Sequence, residues 1–144
     1  MLLLKADPLT EAGAPPNERL LSEMGGLMQE ITAAGAMLAG DGLKPSSEGA
    51  RVFYSGDQRR VLDGPFTESK ELIAGYSIVQ TESKQQAIDW ARRMLEIHVR
   101  GTGQDSGEVE VREFFEIEDF PVSPEEKPDG WRAVETAFRD RQRA

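Results

Sequence analysis

The residues best suited to chemistry lie in one short segment, Asp63-Gly64-Pro65-Phe66, and in the polar residues that follow it. A carboxylate such as Asp63 acts as a general base when partial burial or a neighbouring carboxylate, for example Glu68, raises its pKa. The alternative is structural, because Asp-Gly is a favoured turn pair in which the aspartate bonds nearby backbone and the glycine tolerates positive φ. Both interpretations stay open at this point, with the structural one favoured.

Four further side chains are candidates for binding a ligand: Phe66, Lys70, Tyr76 and Arg112. Three of them also have a simpler explanation. Phe66 fits a core plug beneath its loop, Lys70 fits a solvated face, and Arg112 fits an ion pair with neighbouring glutamates. Tyr76 is the strongest of the four, because its hydroxyl gives a polar tip to an apolar ring at the start of a predicted strand.

The composition limits the kinds of catalytic and metal site that this chain can contain. The chain has no cysteine and a single histidine, His98, which excludes thiolate sites, disulfides and a multi-histidine metal centre. His98 lies at the end of a predicted helix, where a favourable interaction with the helix dipole is enough to explain it, and a catalytic role is the less favoured alternative. Gly40-Asp41-Gly42 lacks the full glycine pattern and the following helix of a nucleotide site. No metal or cofactor is expected.

The net charge excludes some partners. At −9, the chain repels phosphate backbones and anionic lipid surfaces, so we expect neither nucleic acid nor a membrane as a partner. The N-terminal sequence MLLLKADP contains an apolar run of only four residues, too short for a signal-peptide core or a spanning helix. The expected location is therefore cytoplasmic.

Hydrophobic periodicity predicts the elements that position these residues. Apolar residues at three- and four-residue steps predict a helix over 18–34, and a second helix that starts at a Ser83 cap and carries its apolar face as far as His98. Apolar or alternating runs predict strands, and glycine- and proline-rich stretches predict loops at 7–17 and 101–107. The predicted strands cover residues 1–5, 37–43, 51–55, 60–62, 75–81 and 108–117.

This order predicts an α+β fold. Without the hairpin of 51–62, it is the ferredoxin-like arrangement βαββαβ. Two helices cover only one face of a four-stranded sheet, so we expect the other face to pack on a second copy in a homodimer. The predicted domain is 1–116, followed by a C-terminal extension, 117–144, that carries a short helix.

The residues around the central segment resemble a known family. Residues 63–66 with the polar positions after them are similar to the signature of the DGPF proteins within the YCII-related family, and this resemblance covers residues 1–116. It implies a dimeric α/β-barrel fold. The residues that carry it are Asp63-Gly64-Pro65-Phe66, Glu68, Lys70, Glu71 and Gly75-Tyr76, with Ala39–Leu43 and Val109–Arg112 as flanking strands.

The resemblance implies less about activity. In YCII-type proteins an aspartate in the position of Asp63 faces a histidine from the first helix, and here the helix over 18–34 contains no histidine. Half of that proposed pair is missing, which weakens the catalytic interpretation. Some DGPF proteins are encoded beside extracytoplasmic-function sigma factors, which implies a link with such a factor.

Two hypotheses follow. The favoured one is a dimeric small-molecule-binding or regulatory module. The alternative is a cofactor-independent lyase or hydrolase with Asp63 as general base and Tyr76 or Arg112 orienting the substrate; a cofactor-free monooxygenase is a distant third. The enzyme hypothesis requires the Asp63 carboxylate to be partly buried, within about 3–5 Å of another polar group.

Overall fold

The computed structural model describes residues 1–67, 71–116, 119 and 121. The chain divides into two compact units, Met1–Arg112 and Glu113–Ala144, and every helix and strand named below belongs to the first. The predicted domain boundary after residue 116 stays a prediction. The helix predicted within 117–144 lies outside the described residues.

Six strands and three α-helices make up the described part of the first unit. Within it, no helix combines the length and apolar character needed to cross a membrane. In chain order the elements are β1 (Leu2–Lys5), α1 (Pro8–Glu11), α2 (Glu18–Ala33), β2 (Met37–Gly42), a 3₁₀ turn (Ser46–Glu48), β3 (Ala50–Ser55), β4 (Gln58–Asp63), β5 (Ile73–Val79), α3 (Lys84–Thr102) and β6 (Val109–Val111).

The main sheet has four antiparallel strands in the order β2-β5-β1-β6, and β3 pairs with β4 in a separate hairpin. This confirms the predicted α+β class and the hairpin between β2 and β5, and the strand order is compatible with the ferredoxin-like arrangement. The dimeric barrel stays a prediction.

The core lies between one face of the sheet and the long helices α2 and α3. Leu2 and Ile31 are fully buried there. Residues directly opposite in neighbouring strands share a face, so Leu2 lies on the helix side with Ser77, whereas Leu3 and Tyr76 lie on the opposite side. The core residues are Leu2, Leu27, Ile31, Ala36, Ala87, Ala91 and Met94.

Two predicted loops are shorter than expected, because helices occupy part of each. Residues 7–17 contain α1, in which Asp7 is the N-cap and Pro8 takes the first turn, where a missing N–H does no harm. Residues 101–107 begin inside α3. The predicted loop begins at Gly101, but this residue lies inside α3 and is needed for contact, since a Cβ there would lie 2.8 Å from Leu20 of α2.

The last predicted strand, 108–117, is too long. β6 covers only Val109–Val111, although the alternation of apolar residues continues beyond it. The reason is its partner: β1 runs antiparallel to β6 and begins at Leu2, so the pairing ends where the Arg112 amide donates to the Met1 carbonyl at 2.8 Å.

The paired glycines of α2, Gly25 and Gly26, do not mark a close approach of the helix to the sheet. A Cβ added at either position would meet no atom within 4 Å. Gly25 instead borders open space, which belongs to the cavity described next.

Candidate functional site

The Asp63-Gly64-Pro65-Phe66 segment packs on the 3₁₀ turn at Ser46–Glu48. A Cβ at Gly64 would lie 1.7 Å from the Ser46 carbonyl oxygen, so only glycine fits. The Gly64 amide donates to the Gly49 carbonyl at 2.9 Å, and the Phe66 amide donates to the Ser46 hydroxyl at 2.9 Å. These contacts give the segment a structural role.

Glu11 at the end of α1 extends this docking. Its carboxylate accepts from the Ser46 amide at 3.1 Å and also from the Ser46 hydroxyl. Ser46 therefore connects α1 to the Phe66 amide, and the hydroxyl is occupied in both directions. Its proton goes to Glu11 and its oxygen accepts from the Phe66 amide, which gives this hydroxyl a structural role.

Asp63 itself is exposed at the end of β4. It pairs with Ala50 across the hairpin, lines neither cavity and has no side-chain partner among the described residues. A general base needs partial burial or a nearby polar group, and this geometry provides neither. The predicted catalytic role of Asp63 therefore finds no support in its surroundings and stays a prediction.

The other predicted ligand-binding residues are spread over the molecule. Phe66 is partly buried in the wall of a small cavity of about 280 Å³, with the Arg51 guanidinium 4.3 Å from its ring centroid. Arg112 pairs with Glu110 at 2.9 Å, as its ion-pair interpretation predicts. Tyr76 lies on the sheet face away from the helices, and Lys70 lies outside the described residues. Their binding roles stay predictions.

The larger cavity lies elsewhere, between the sheet, α1 and the first half of α2. Its volume is about 660 Å³, within the range of small-molecule sites, and its wall is largely apolar. Three large apolar residues on its wall are strongly exposed, Leu9, Leu21 and Leu43. The wall also includes Leu4, Thr10, Pro15, Asn17, Leu20, Met24, Gly25, Ala74, His98, Gly101 and Thr102.

His98 is the side chain in that wall that is best suited to chemistry. It is 5% exposed, and its Nε2 lies 2.8 Å from Oδ2 of Asp7. Asp7 does not line the cavity, so it supports the imidazole from behind. A carboxylate behind a histidine fixes the orientation and the tautomer of the ring.

Asp7 is held in its ionised form. Burial raises the pKa of its carboxyl, but the Thr10 amide, His98 and the Leu9 amide lower it, and the net pKa lies below the usual value of 3.8. Oδ1 accepts from the Leu9 and Thr10 amides, both at 2.8 Å, as the N-cap of α1. One carboxylate therefore caps the helix and orients the histidine.

The second ring nitrogen, Nδ1 of His98, has no hydrogen-bond partner among the described residues. Nδ1 is also not fully buried. Among the described residues, Trp90 Nε1 is the one fully buried side-chain nitrogen or oxygen that lacks a hydrogen-bond partner. Since Nδ1 lacks a partner as well, it must be partly accessible. His98 lines the cavity, so Nδ1 is the free ring nitrogen of a wall residue.

The remaining polar side chains of the wall are already engaged with backbone. The Thr10 hydroxyl donates to the Asp7 carbonyl at 2.9 Å, and the Thr102 hydroxyl donates to the His98 carbonyl at 2.8 Å. The side-chain NH₂ of Asn17 donates to the Gly101 carbonyl at 2.7 Å, and the side-chain oxygen of Asn17 accepts from the Leu20 amide as the N-cap of α2. Among the described side chains of the wall, Nδ1 of His98 is thus a ring nitrogen without a partner beside hydroxyls that already donate to backbone.

Sequence reasoning underestimated this pair because its members are 91 residues apart. Asp7 was interpreted as the end of a strand and His98 as a helix-dipole partner. One signal was present: His98 continues the stripe of Ala87, Ala91 and Met94, all of which are buried. A lone histidine on a buried stripe needs a polar partner.

The family model of the YCII-related domain matches residues 1–116 of this chain. The chain belongs to the YCII-related family. This YCII-related domain is also similar to the uncharacterized protein R00369 of Rhizobium meliloti (strain 1021), with 27% identity over 96 residues, which is 67% of this chain and 73% of the relative. The predicted resemblance is confirmed, and it leaves the activity to be argued from the cavity.

The docking of the signature segment makes a direct prediction. Gly64→Ala places a methyl group on the Ser46 carbonyl, so we expect the free energy of unfolding to fall by about 3 kcal/mol in chemical denaturation. Asp63→Ala is the matched control, and we expect it to change this free energy by less than about 0.5 kcal/mol, since the side chain is exposed. Equal effects of the two substitutions would contradict the structural role.

Proposed function

We propose that this YCII-related domain binds a small, mainly apolar molecule in the cavity beside His98. One observation carries the proposal: the wall is largely apolar, its threonine hydroxyls already donate to backbone, and it includes His98, whose Nδ1 has no partner among the described residues. An apolar pocket with a few fixed polar groups is the usual architecture of a small-molecule site.

The exposed apolar residues at the cavity support this function. Leu21 is 59% exposed and Leu43 is 52% exposed, although both are large apolar side chains beside a concave surface. A bound molecule that covers them removes apolar area from water and gains about 25 cal/mol per Å². The cavity therefore favours an elongated apolar body with one polar group.

An enzyme is the second candidate, and the observation that favours it is the Asp7–His98 pair. An imidazole oriented by a carboxylate can act as a general base, here in place of Asp63. The two hydroxyls of the described wall, those of Thr10 and Thr102, already donate to backbone carbonyls, which makes acyl transfer through them a poor fit. Binding is therefore the better-supported function. The link with a sigma factor stays a prediction.

Gly25 and Gly26 provide a matched pair for testing the binding function. A Cβ at either position meets no atom within 4 Å, but Gly25 lines the cavity and Gly26 does not. We expect Gly25→Phe to weaken binding of a probe, 2-nonanol, at least tenfold in a ¹H–¹⁵N NMR titration, because the ring occupies the space the probe needs.

Gly26→Phe is expected to retain wild-type affinity, since it makes the same change one position along the helix. Both substitutions replace a helical glycine and so raise helix propensity by a few tenths of a kcal/mol, which keeps loss of folding from explaining the result. Equal affinity of the two variants, or no binding of 2-nonanol to the wild type, would contradict the proposed site.

We also propose that the chain forms a homodimer. The hairpin β3–β4 supports this, since Val52 and Val61 face each other across it and are 79% and 65% exposed. An isolated two-stranded hairpin is at best marginally stable, and such an apolar pair is typical of a surface that packs on a partner. A second copy supplies that partner without any other component.

Light scattering tests the dimer. We expect a mass of about twice the 15.9 kDa of the chain at micromolar concentration, and we expect Val52→Lys to shift it towards the monomer, since it places a charge in the apolar pair. Gln85→Lys, an exposed change on α3, is the control and should leave the mass unchanged. A wild-type mass of one chain would refute the dimer.

A further inference from the structure

The Asp7–His98 contact determines which nitrogen of the ring carries the proton. Oδ2 of Asp7 lies 2.8 Å from Nε2, and the carboxylate also accepts two backbone amides through Oδ1. An ionised carboxylate has no proton to donate, so Nε2 must be the donor. In a neutral imidazole the other nitrogen, Nδ1, then carries only a lone pair.

We infer that the cavity selects molecules that donate a hydrogen bond, namely apolar alcohols or phenols, over ketones or ethers of the same shape. This rests on the proposed function and specifies its ligand class. A hydroxyl group satisfies the Nδ1 lone pair. A carbonyl oxygen placed there faces a second acceptor and loses its hydrogen bonds to water without replacement.

The two threonine hydroxyls of the wall strengthen this selectivity. The Thr10 and Thr102 hydroxyls each donate their one proton to a backbone carbonyl, so neither can turn towards a ketone without breaking an existing bond. Lys and Arg side chains are absent from the described cavity wall. The Nδ1 lone pair of His98 is therefore the free acceptor that favours a ligand hydroxyl.

Asp7→Asn tests this assignment with little change in shape. Asparagine is an N-cap as good as aspartate, so its oxygen can keep the Leu9 and Thr10 amides. Its NH₂ then takes the place of Oδ2 and donates to Nε2, which moves the ring proton to Nδ1. Nδ1, the ring nitrogen left free for a ligand, thereby changes from a hydrogen-bond acceptor to a donor.

The chain has one histidine, so ¹⁵N NMR reports the tautomer of His98 without assignment ambiguity. At a pH at which titration shows the imidazole neutral, we expect the Nε2–H form in the wild type and the Nδ1–H form in Asp7→Asn. Asp89→Asn, the same chemical change at an exposed position of α3, is the control and should keep the wild-type tautomer.

Binding of 2-nonanol and 2-nonanone then measures the selectivity. We expect the wild type to prefer the alcohol by about three- to tenfold, the value of one net hydrogen bond, and Asp7→Asn to reduce this ratio to one or below. If Asp7→Asn fails to fold, the wild-type tautomer and the wild-type ratio still decide the question.

The outcomes separate the two proposals. An Nδ1–H tautomer in the wild type, or equal affinity for the alcohol and the ketone, overturns the selectivity while leaving the binding function in place. Failure of both compounds to bind overturns the proposed function, and the selectivity falls with it.

Discussion

The hydrogen bond between Asp7 and His98 is the contact on which the site depends. It joins the corner between β1 and α1 to the last turns of α3, and it is almost removed from water, with side-chain exposures of 11% and 6%. A buried polar group that loses its partner costs about 1–3 kcal/mol, so the two elements are held in one arrangement. The same bond holds the imidazole beside the cavity through Nε2 and leaves Nδ1 without a hydrogen-bond partner among the described residues.

A second constraint acts on the other side of α1, at Glu11 and Ser46. There the hairpin and its signature segment pack so closely that Gly64 cannot carry a side chain. The short helix α1 therefore has one end fixed by Asp7 and the other by Glu11, although it spans only four residues. Since α1 contributes Leu9 and Thr10 to the cavity, both constraints shape the binding surface. The signature segment then contributes to the site through packing, at a distance from the polar atom that meets a ligand.

Local pattern predicted most of the fold. The stripes of α2 and α3 and the strands β1, β2 and β5 follow from the local pattern of apolar residues, because each of these elements contributes at least one side chain to the same core. Tertiary contact decided the rest. Gly101 continues a helix because Leu20 packs against it, β6 stops where its pairing with β1 ends at Leu2, and Asp7 meets His98 across 91 positions. Such contacts leave little local trace, so the sequence pointed to Asp63 rather than to the buried pair.

The central claim is that a ligand enters the cavity between α1, α2 and the sheet and reaches His98. The most direct measurement is an isotope-filtered NOE experiment on the protein with 2-nonanol bound. Our account predicts contacts from the alkyl chain to the Met24 methyl group and from the carbinol end to the ring protons of His98. Contacts to Leu3 and Tyr76 on the opposite sheet face, or none to His98, would contradict it.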